Sequence, residues 1–204
     1  MLRVNRLRKV YAHGFPKRVP TFTLEADFTV DTPTIVGVLG PNGSGKTTLF
    51  ELITGSNEPT AGCVTCGGQD IHRVRYAERS RLAMHYHQSY QVRAFRKRVP
   101  SFLLQRATRS EPLVHLFDEP QFSIQDGYIG FMMDFFRRLR REGKLVFVCL
   151  HPNEAYHLEL LDELCERFMF VCRGRLTYAP SLRALAAHAP FREYLGTLAA
   201  HVPA

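Results

Sequence analysis

Long apolar runs are what this sequence most clearly lacks. No stretch approaches the roughly 18 consecutive apolar residues that a membrane-crossing helix needs. The opening segment MLRVNRLRKVY is basic, but no apolar region follows it, so it does not resemble a secretory signal. Internal repeats and low-complexity linkers are also missing. We therefore expect a cytosolic chain that forms a single domain over residues 1–204.

Cysteine is scarce as well. Five cysteines, an odd number, in a chain expected to be cytosolic argue against a disulfide framework. Cys63 and Cys66 form a C-x-x-C pair in the turn-rich segment TAGCVTCGG. This pair is either a zinc or redox site or two small residues in a turn, and the lack of a second ligand pair at zinc spacing favours the turn. Cys149 and Cys172 lie in apolar, strand-like runs and are predicted to be core residues.

Basic residues outnumber acidic ones by 27 to 19, and the formal net charge is +8. This excess indicates an anionic partner, which is a nucleotide, a nucleic acid or a membrane surface. The basic residues are dispersed in RVNRLRK, RVRYAERSR, RKR and RRLRR, and no aromatic-studded nucleic-acid motif accompanies them. Their dispersion disfavours nucleic acid as the partner.

Buried strands alternate with helices along the chain. Residues 21–30 alternate between apolar and polar, as a half-exposed strand does, whereas short continuous apolar runs indicate strands buried on both faces. The predicted elements are buried strands at 34–40, 111–120 and 144–152, helices at 46–55, 128–143 and 153–167, a hairpin at 168–180, and a C-terminal helical tail at 181–204 that Pro190 interrupts. This order predicts an α/β fold with a mostly parallel sheet flanked by helices and an antiparallel β subdomain.

The segment GPNGSGKT, residues 40–47, fills every fixed position of the pattern G-x-x-x-x-G-K-[S/T]. It follows a predicted strand and opens a predicted helix, which is the context of a phosphate-binding loop. Its glycines let successive N–H groups face phosphate oxygens, and the helix N-terminus adds partial positive charge. Lys46 can reach the β- and γ-phosphates, and the Thr47 hydroxyl can coordinate Mg²⁺. The alternative, a glycine-rich turn with a chance lysine, is disfavoured by the flanking elements.

A matching acidic site is predicted at the end of the strand in LVHLFDEP. Asp118 closes the apolar run, where its carboxylate can hold the water shell of Mg²⁺. Glu119 follows directly and can orient and deprotonate an attacking water. Two acidic residues capping a helix would look similar, but the phosphate-binding loop in the same chain favours a nucleotide site.

With these motifs in order, the sequence resembles the nucleotide-binding subunit of ATP-binding cassette (ABC) transporters over nearly its whole length. GPNGSGKTTL is similar to the family's Walker A motif, LFDEP to its Walker B motif, and EPTAGCVTCGGQDI to a segment between them. The resemblance implies a P-loop NTPase core that binds ATP and Mg²⁺. It implies nucleotide contacts from Gly40, Pro41, Asn42, Gly43, Ser44, Gly45, Lys46, Thr47 and Thr48.

Four further residues acquire a role only through this resemblance. Tyr11 fits the aromatic that stacks on adenine, and Gln88 fits the glutamine that touches Mg²⁺ and senses the membrane partner. His151, after the strand LVFVCL, fits the switch histidine that contacts the γ-phosphate, and Asp126 fits the family's D-loop. The resemblance thus implies catalytic roles for Lys46, Glu119 and His151, and metal contacts for Thr47, Gln88 and Asp118.

The family's signature motif, LSGGQ, is missing from the sequence. LLQRATRSEP (103–112) resembles the helix that follows this motif, with Arg106 in the arginine position, so the signature position falls on AFRKR, residues 94–98. Gln88 and Asp118 are 30 positions apart, and the helical subdomain between them is predicted to be reduced to a short connection, residues 89–102. The basic residues of AFRKR are either cationic clamps similar to an arginine finger or, as we favour, a solvated loop.

The expected function is an ATP-binding subunit of an ABC-type transporter. It would bind and hydrolyse Mg-ATP to power a membrane-spanning partner at the inner face of the membrane, as a homodimer or with a second ATP-binding subunit. Weak activity of the chain alone is expected because LSGGQ is missing. The alternatives are a degenerate ATP-binding regulatory module and a nucleic-acid-linked cassette ATPase, while LFDEP followed by His151 disfavours a small P-loop kinase.

Overall fold

The computed structural model describes residues 1–87, 112–120 and 128–203. These residues contain ten β-strands: β1 Leu2–His13, β2 Val19–Val30, β3 Ile35–Leu39, β4 Ala61–Cys66, β5 Gln69–Asp70, β6 Ala83–His87, β7 Val114–Asp118, β8 Leu145–Cys149, β9 Arg167–Cys172 and β10 Arg175–Ala179. All ten belong to one sheet, in the order β5-β4-β1-β2-β10-β9-β3-β8-β7-β6.

The helices of the same residues are α1 Lys46–Thr54, α2 Tyr76–Leu82, α3 Tyr128–Arg141, α4 Ala155–Leu164, α5 Leu182–Ala186 and α6 Ala189–Leu195, followed by a 3₁₀ helix, Gly196–His201. The tail is interrupted as predicted, but Pro190 lies in the first turn of α6, where its missing N–H leaves no helical hydrogen bond unmade. None of these helices is both long and apolar enough to cross a membrane.

The two halves of the sheet differ in strand direction. β1 pairs antiparallel with β2 and β4, and β4 pairs antiparallel with β5. β9, β3, β8, β7 and β6 run parallel to one another. β10 joins the two halves, since it pairs antiparallel with β9 and parallel with β2. The predicted combination of parallel and antiparallel parts is confirmed, as one continuous sheet.

The central strands are covered on both faces, which explains their continuous apolar sequences. In β3, Val36 and Val38 pack in the cluster that contains the apolar residues of α1. Ile35 and Leu39 of the same strand pack in a second cluster with α3 and α4. Along β2, by contrast, buried and exposed residues alternate from Leu24 onward, as predicted for a half-exposed strand.

The C-x-x-C pair does not bring its two thiols together. Cys63 and Cys66 lie three positions apart on β4, so their side chains point to opposite faces of the sheet. Cys66 is buried and donates to the carbonyl of Leu82 over 3.3 Å. Cys149 is fully buried, and Cys172 is partly buried against the second cluster. This geometry indicates that Cys63, Cys66, Cys149 and Cys172 pack separately and that the C-x-x-C pair does not form a shared site.

The parallel strands bring the predicted site together at one edge of the sheet. β3 ends before Gly40, β7 ends at Asp118, and β8 ends two residues before His151. The carboxyl ends of neighbouring parallel strands meet at the same edge, where ligands bind in such sheets. Several predictions fall outside the described residues, namely those for Gln88, the connection 89–102 with AFRKR at 94–98, Arg106 and Asp126.

Candidate functional site

The loop between β3 and α1, residues 40–45, surrounds the ammonium group of Lys46. This group donates to the carbonyl oxygens of Gly40, over 2.7 Å, and Pro41, over 2.9 Å. Only 7% of Lys46 is exposed. The loop therefore fixes a positive charge at the start of α1, where the first backbone N–H groups have no helical partner. This arrangement favours an anionic ligand.

Two glycines allow the loop to take this path. Gly40 has a φ of +149°, and a Cβ there would lie 2.1 Å from the carbonyl oxygen of Val171 on β9. Gly45 has a φ of +108°, and a Cβ there would lie 2.9 Å from the ring of Phe22 on β2. Both positions therefore require glycine, which gives the fixed glycines of the sequence pattern a local physical reason.

Ser44 lies inside the loop with a hydroxyl that the described residues leave without a hydrogen-bond partner. The residue is 4% exposed, and an unsatisfied buried hydroxyl costs ~1–3 kcal/mol. A ligand oxygen would supply the missing partner. Ser44 and Lys46 therefore fit a bound phosphate, and the remaining loop residues surround them, with Asn42 and Gly43 exposed at the tip and Pro41 and Thr48 partly buried.

Asp118 is joined to this loop directly. The Thr47 hydroxyl donates to Oδ2 of Asp118 over 2.9 Å, and Nε2 of His85 on β6 lies 3.4 Å from the same oxygen. Burial alone would raise the pKa of Asp118, but hydrogen bonds from His85 and Thr47 and the charge of His85 lower it further than burial raises it. The carboxylate is therefore ionised at neutral pH. A carboxylate beside a threonine hydroxyl is an oxygen donor set that suits Mg²⁺.

Glu119 forms a turn immediately after β7. Its φ is +51°, a left-handed conformation that costs a non-glycine residue ~1–3 kcal/mol. Its backbone N–H donates to the carbonyl of Cys149 over 3.0 Å, which ties the turn to the end of β8. This bond keeps Glu119 beside Asp118 at the carboxyl edge of the sheet.

The buried thiol of Cys149 lies within the same electrostatic environment. Burial raises its pKa well above the usual value, the charges of Asp118 and Glu119 raise it further, and Lys46 opposes them. The charges of Lys46, Asp118 and Glu119, three of the predicted site residues, thus all change the pKa of the Cys149 thiol. Lys46, Asp118 and Glu119 are therefore all near this one buried thiol at the carboxyl edge of the sheet.

His151 follows β8 and is exposed. Its Nδ1 lies 3.0 Å from the hydroxyl of Tyr194 on α6, and the two rings meet edge to face with centroids 5.7 Å apart. Tyr194 and His85 are site neighbours that sequence reasoning missed. Neither stands in a motif, because Tyr194 lies in the helical tail and His85 lies within β6.

Tyr11 lies on β1, and 37% of it is exposed. Its hydroxyl accepts a hydrogen bond from the side chain of Asn57 over 2.7 Å. Its ring centroid lies 6.3 Å from that of Phe22, which packs at Gly45 of the loop. Tyr11 is therefore an exposed aromatic next to the loop, with Phe22 between them.

The chain resembles known proteins both in sequence and in fold. The family model described as "ABC transporter" matches residues 24–101. The ABC transporter ATP-binding protein NatA of Bacillus subtilis (strain 168) is 22% identical, over 83% of this chain and 85% of NatA. The sulfate/thiosulfate import ATP-binding protein CysA of Mycolicibacterium paratuberculosis is 26% identical over 68% of this chain, and the match spans about half of CysA (50%).

A solved structure shares the fold. The ATP-binding cassette MJ0796, whose dimer was determined in a post-hydrolysis state bound to ADP and Pi, superposes with a TM-score of 0.66 at 15% identity. The match covers 88% of this chain and 98% of that one. The chain therefore shares the fold of an ATP-binding cassette and is similar in sequence to ATP-binding proteins of ABC transporters.

Proposed function

We propose that this chain is the ATP-binding subunit of an ABC transporter and hydrolyses Mg-ATP to drive a membrane-spanning partner. The observation that carries the proposal is the 2.9 Å hydrogen bond from Thr47 to Asp118. It joins the loop that holds Lys46 to the carboxylate best suited to a metal. Because NatA and CysA are named as ATP-binding proteins of a transporter and of an importer, the relatives support the same role.

Each residue of the site has a distinct proposed task. Lys46 and the backbone N–H groups of the loop bind the phosphates, and the Ser44 hydroxyl donates to one of their oxygens. Thr47, Asp118 and, by its family role, Gln88 hold Mg²⁺, which neutralises phosphate charge when bound.

The remaining two residues act on the attacking water and the γ-phosphate. Glu119 orients the water and accepts a proton at its carboxylate, and His151 donates a hydrogen bond to a γ-phosphate oxygen. Tyr11 stacks against adenine. The partner is proposed to hold the chain at the inner face of the membrane, as one of two ATP-binding subunits.

The basic run RRLRR on α3 fits this proposal better than a nucleic-acid partner. Arg137 pairs with Glu163 at 2.7 Å, and Arg140 pairs with Glu166 at 2.6 Å. Arg138 lies 3.8 Å from Glu142. These acidic neighbours offset the charge of the run locally, so it does not form a continuous basic surface for a phosphate backbone.

The first test is nucleotide binding by the purified chain. We expect Mg-ATP to bind, and we expect Lys46→Ala to abolish binding because it removes the ammonium group that loop 40–45 surrounds. Lys17→Ala, which changes an exposed lysine between β1 and β2, is the matched control and should bind as the wild type does. Tight ATP binding by Lys46→Ala in a calorimetric titration would contradict the assignment.

The second test is hydrolysis. We expect slow or no turnover by the chain alone, since LSGGQ is missing, and turnover that depends on Glu119 once a partner with an intact signature is added. The measurement is phosphate release by wild type and Glu119→Gln, with and without that partner. Steady turnover by the homogeneous chain, lost in Glu119→Gln, would show that the signature is dispensable.

A further inference from the structure

The C-terminal tail places Tyr194 in the nucleotide site. Its ring packs against Phe170 on β9, with centroids 5.5 Å apart, and against Phe191 on its own helix, 6.1 Å away. Phe191 is fully buried. These contacts hold the ring of Tyr194 in place while its hydroxyl lies 3.0 Å from Nδ1 of His151. The tail thus contributes a polar group to a site otherwise built by the β3–α1 loop, β7 and β8.

The hydroxyl of Tyr194 lies among the groups that define this site. Burial raises the pKa of Tyr194 far above its usual value, a backbone hydrogen bond from Gly40 opposes this rise, and the charges of Cys149 and Glu119 add to it. The hydroxyl therefore keeps its proton and can donate it to Nδ1 of His151, which lies 3.0 Å away.

We propose that Tyr194 is a positioning residue that donates to Nδ1 of His151 and thereby leaves the ring with its proton on Nε2, as a hydrogen-bond donor. A neutral imidazole carries one proton, so a nitrogen that accepts from a hydroxyl forces that proton onto the other nitrogen. His151 is exposed, and without this contact its ring would exchange between tautomers and orientations in water. That the Nε2–H of His151 then donates a hydrogen bond to a γ-phosphate oxygen rests on the proposed function.

The decisive measurement is the tautomer of His151 in the nucleotide-free chain. Full-length protein labelled with ¹⁵N-histidine should show, for neutral His151, an Nδ1 shift typical of an unprotonated nitrogen and an Nε2 shift typical of a protonated one. His151→Gln identifies the signals. Tyr194→Phe keeps the ring and its packing but removes the hydroxyl, and it should move both shifts toward tautomer-averaged values. Tyr76→Phe, which removes a hydroxyl from a residue that is 83% exposed, should change neither shift.

The proposal is overturned if wild-type His151 already shows averaged shifts, or if Tyr194→Phe leaves them unchanged. This measurement needs no nucleotide, so it stands even if the proposed ATPase function fails.

A double-mutant cycle tests the functional part. A lost hydrogen bond of this kind should weaken Mg-ATP binding roughly 2- to 10-fold in Tyr194→Phe. The same change in a His151→Gln background should have no further effect, because the hydroxyl acts through His151. An equal loss in both backgrounds would show that Tyr194 acts independently of His151 and would overturn the proposal.

Discussion

Acid should destabilise this protein through one buried histidine on β7. His115 is 0% exposed, and its ring lies parallel to those of Tyr86 and Phe117, with centroids 5.8 and 6.2 Å away. Its Nδ1 lies 3.0 Å from the hydroxyl of Tyr86. Burial, and to a lesser extent the charge of Lys144, lower the pKa of His115 from 6.5 to about 4, against a hydrogen bond to the backbone of Pro112 that raises it. Protonating His115 in the folded chain is therefore costly.

The sign and size of the effect follow from these two pKa values. The pKa in the folded chain is below that in the unfolded chain, so the stability linked to neutral His115 is complete above pH 6.5 and is lost as the pH falls toward 4. Each pKa unit corresponds to ~1.4 kcal/mol. Between about pH 8 and about pH 4.5, the free energy of unfolding should fall by ~2.5 kcal/mol from this residue alone.

Urea denaturation at the two pH values measures this fall. His115→Asn keeps a side chain that can pair with the Tyr86 hydroxyl but cannot become charged, so its stability should fall by ~2.5 kcal/mol less than that of the wild type. Other groups titrate in both proteins, so their contributions to the pH dependence of stability cancel in the comparison. One of them is His157, whose pKa is lowered mainly by burial. His188→Asn, at an exposed position, is the control. Equal pH dependence in wild type and His115→Asn would refute the reasoning.

Two further predictions concern the loop and its carboxylate. Gly40→Ala should lower the free energy of unfolding by ~3 kcal/mol or more, as measured by denaturation. The reason is that its Cβ would lie 2.1 Å from the carbonyl oxygen of Val171. Gly130→Ala in α3, where a Cβ meets no described atom within 4 Å, should be neutral or stabilising. Asp118→Asn should remove the gain in ATP affinity that Mg²⁺ provides, measured by titrations with and without the metal, whereas Asp31→Asn, on an 80% exposed side chain, should not. Unchanged stability in Gly40→Ala, or an unchanged metal effect in Asp118→Asn, would contradict these expectations.

The sequence predicted the parts of the site that depend on the backbone. The fixed glycines of residues 40–47 specify a loop path that other residues cannot follow, so Lys46 and Thr47 could be placed from spacing alone. The apolar runs identified β7 and β8, and parallel pairing then brings Asp118 near the end of β8. These inferences succeed because they use local conformational rules and one rule of sheet topology.

The contacts that escaped prediction are side-chain contacts between distant segments. His85 reaches Asp118 only because β6 pairs with β7, and no pattern in the strand distinguishes this histidine from a core residue. Tyr194 reaches His151 across 43 positions through the packing of α6 against β9. Helical periodicity identifies the tail, but it does not identify which site a helical residue meets.

Nucleotide binding and turnover should be separable in this chain, because the groups for binding and the groups for turnover lie in different places. The groups proposed to bind the phosphates and the metal, among them Lys46, Thr47 and Asp118, all lie in the described part of one chain, where Lys46 donates to Gly40 and Thr47 donates to Asp118. The resemblance to the ABC family implies that the signature of a second subunit completes the catalytic site, and this sequence has AFRKR where LSGGQ would stand. A chain that binds Mg-ATP tightly but turns it over only beside a partner with LSGGQ would be explained by this division. A chain that hydrolyses ATP efficiently alone would require AFRKR to replace the signature, as cationic clamps rather than a solvated loop.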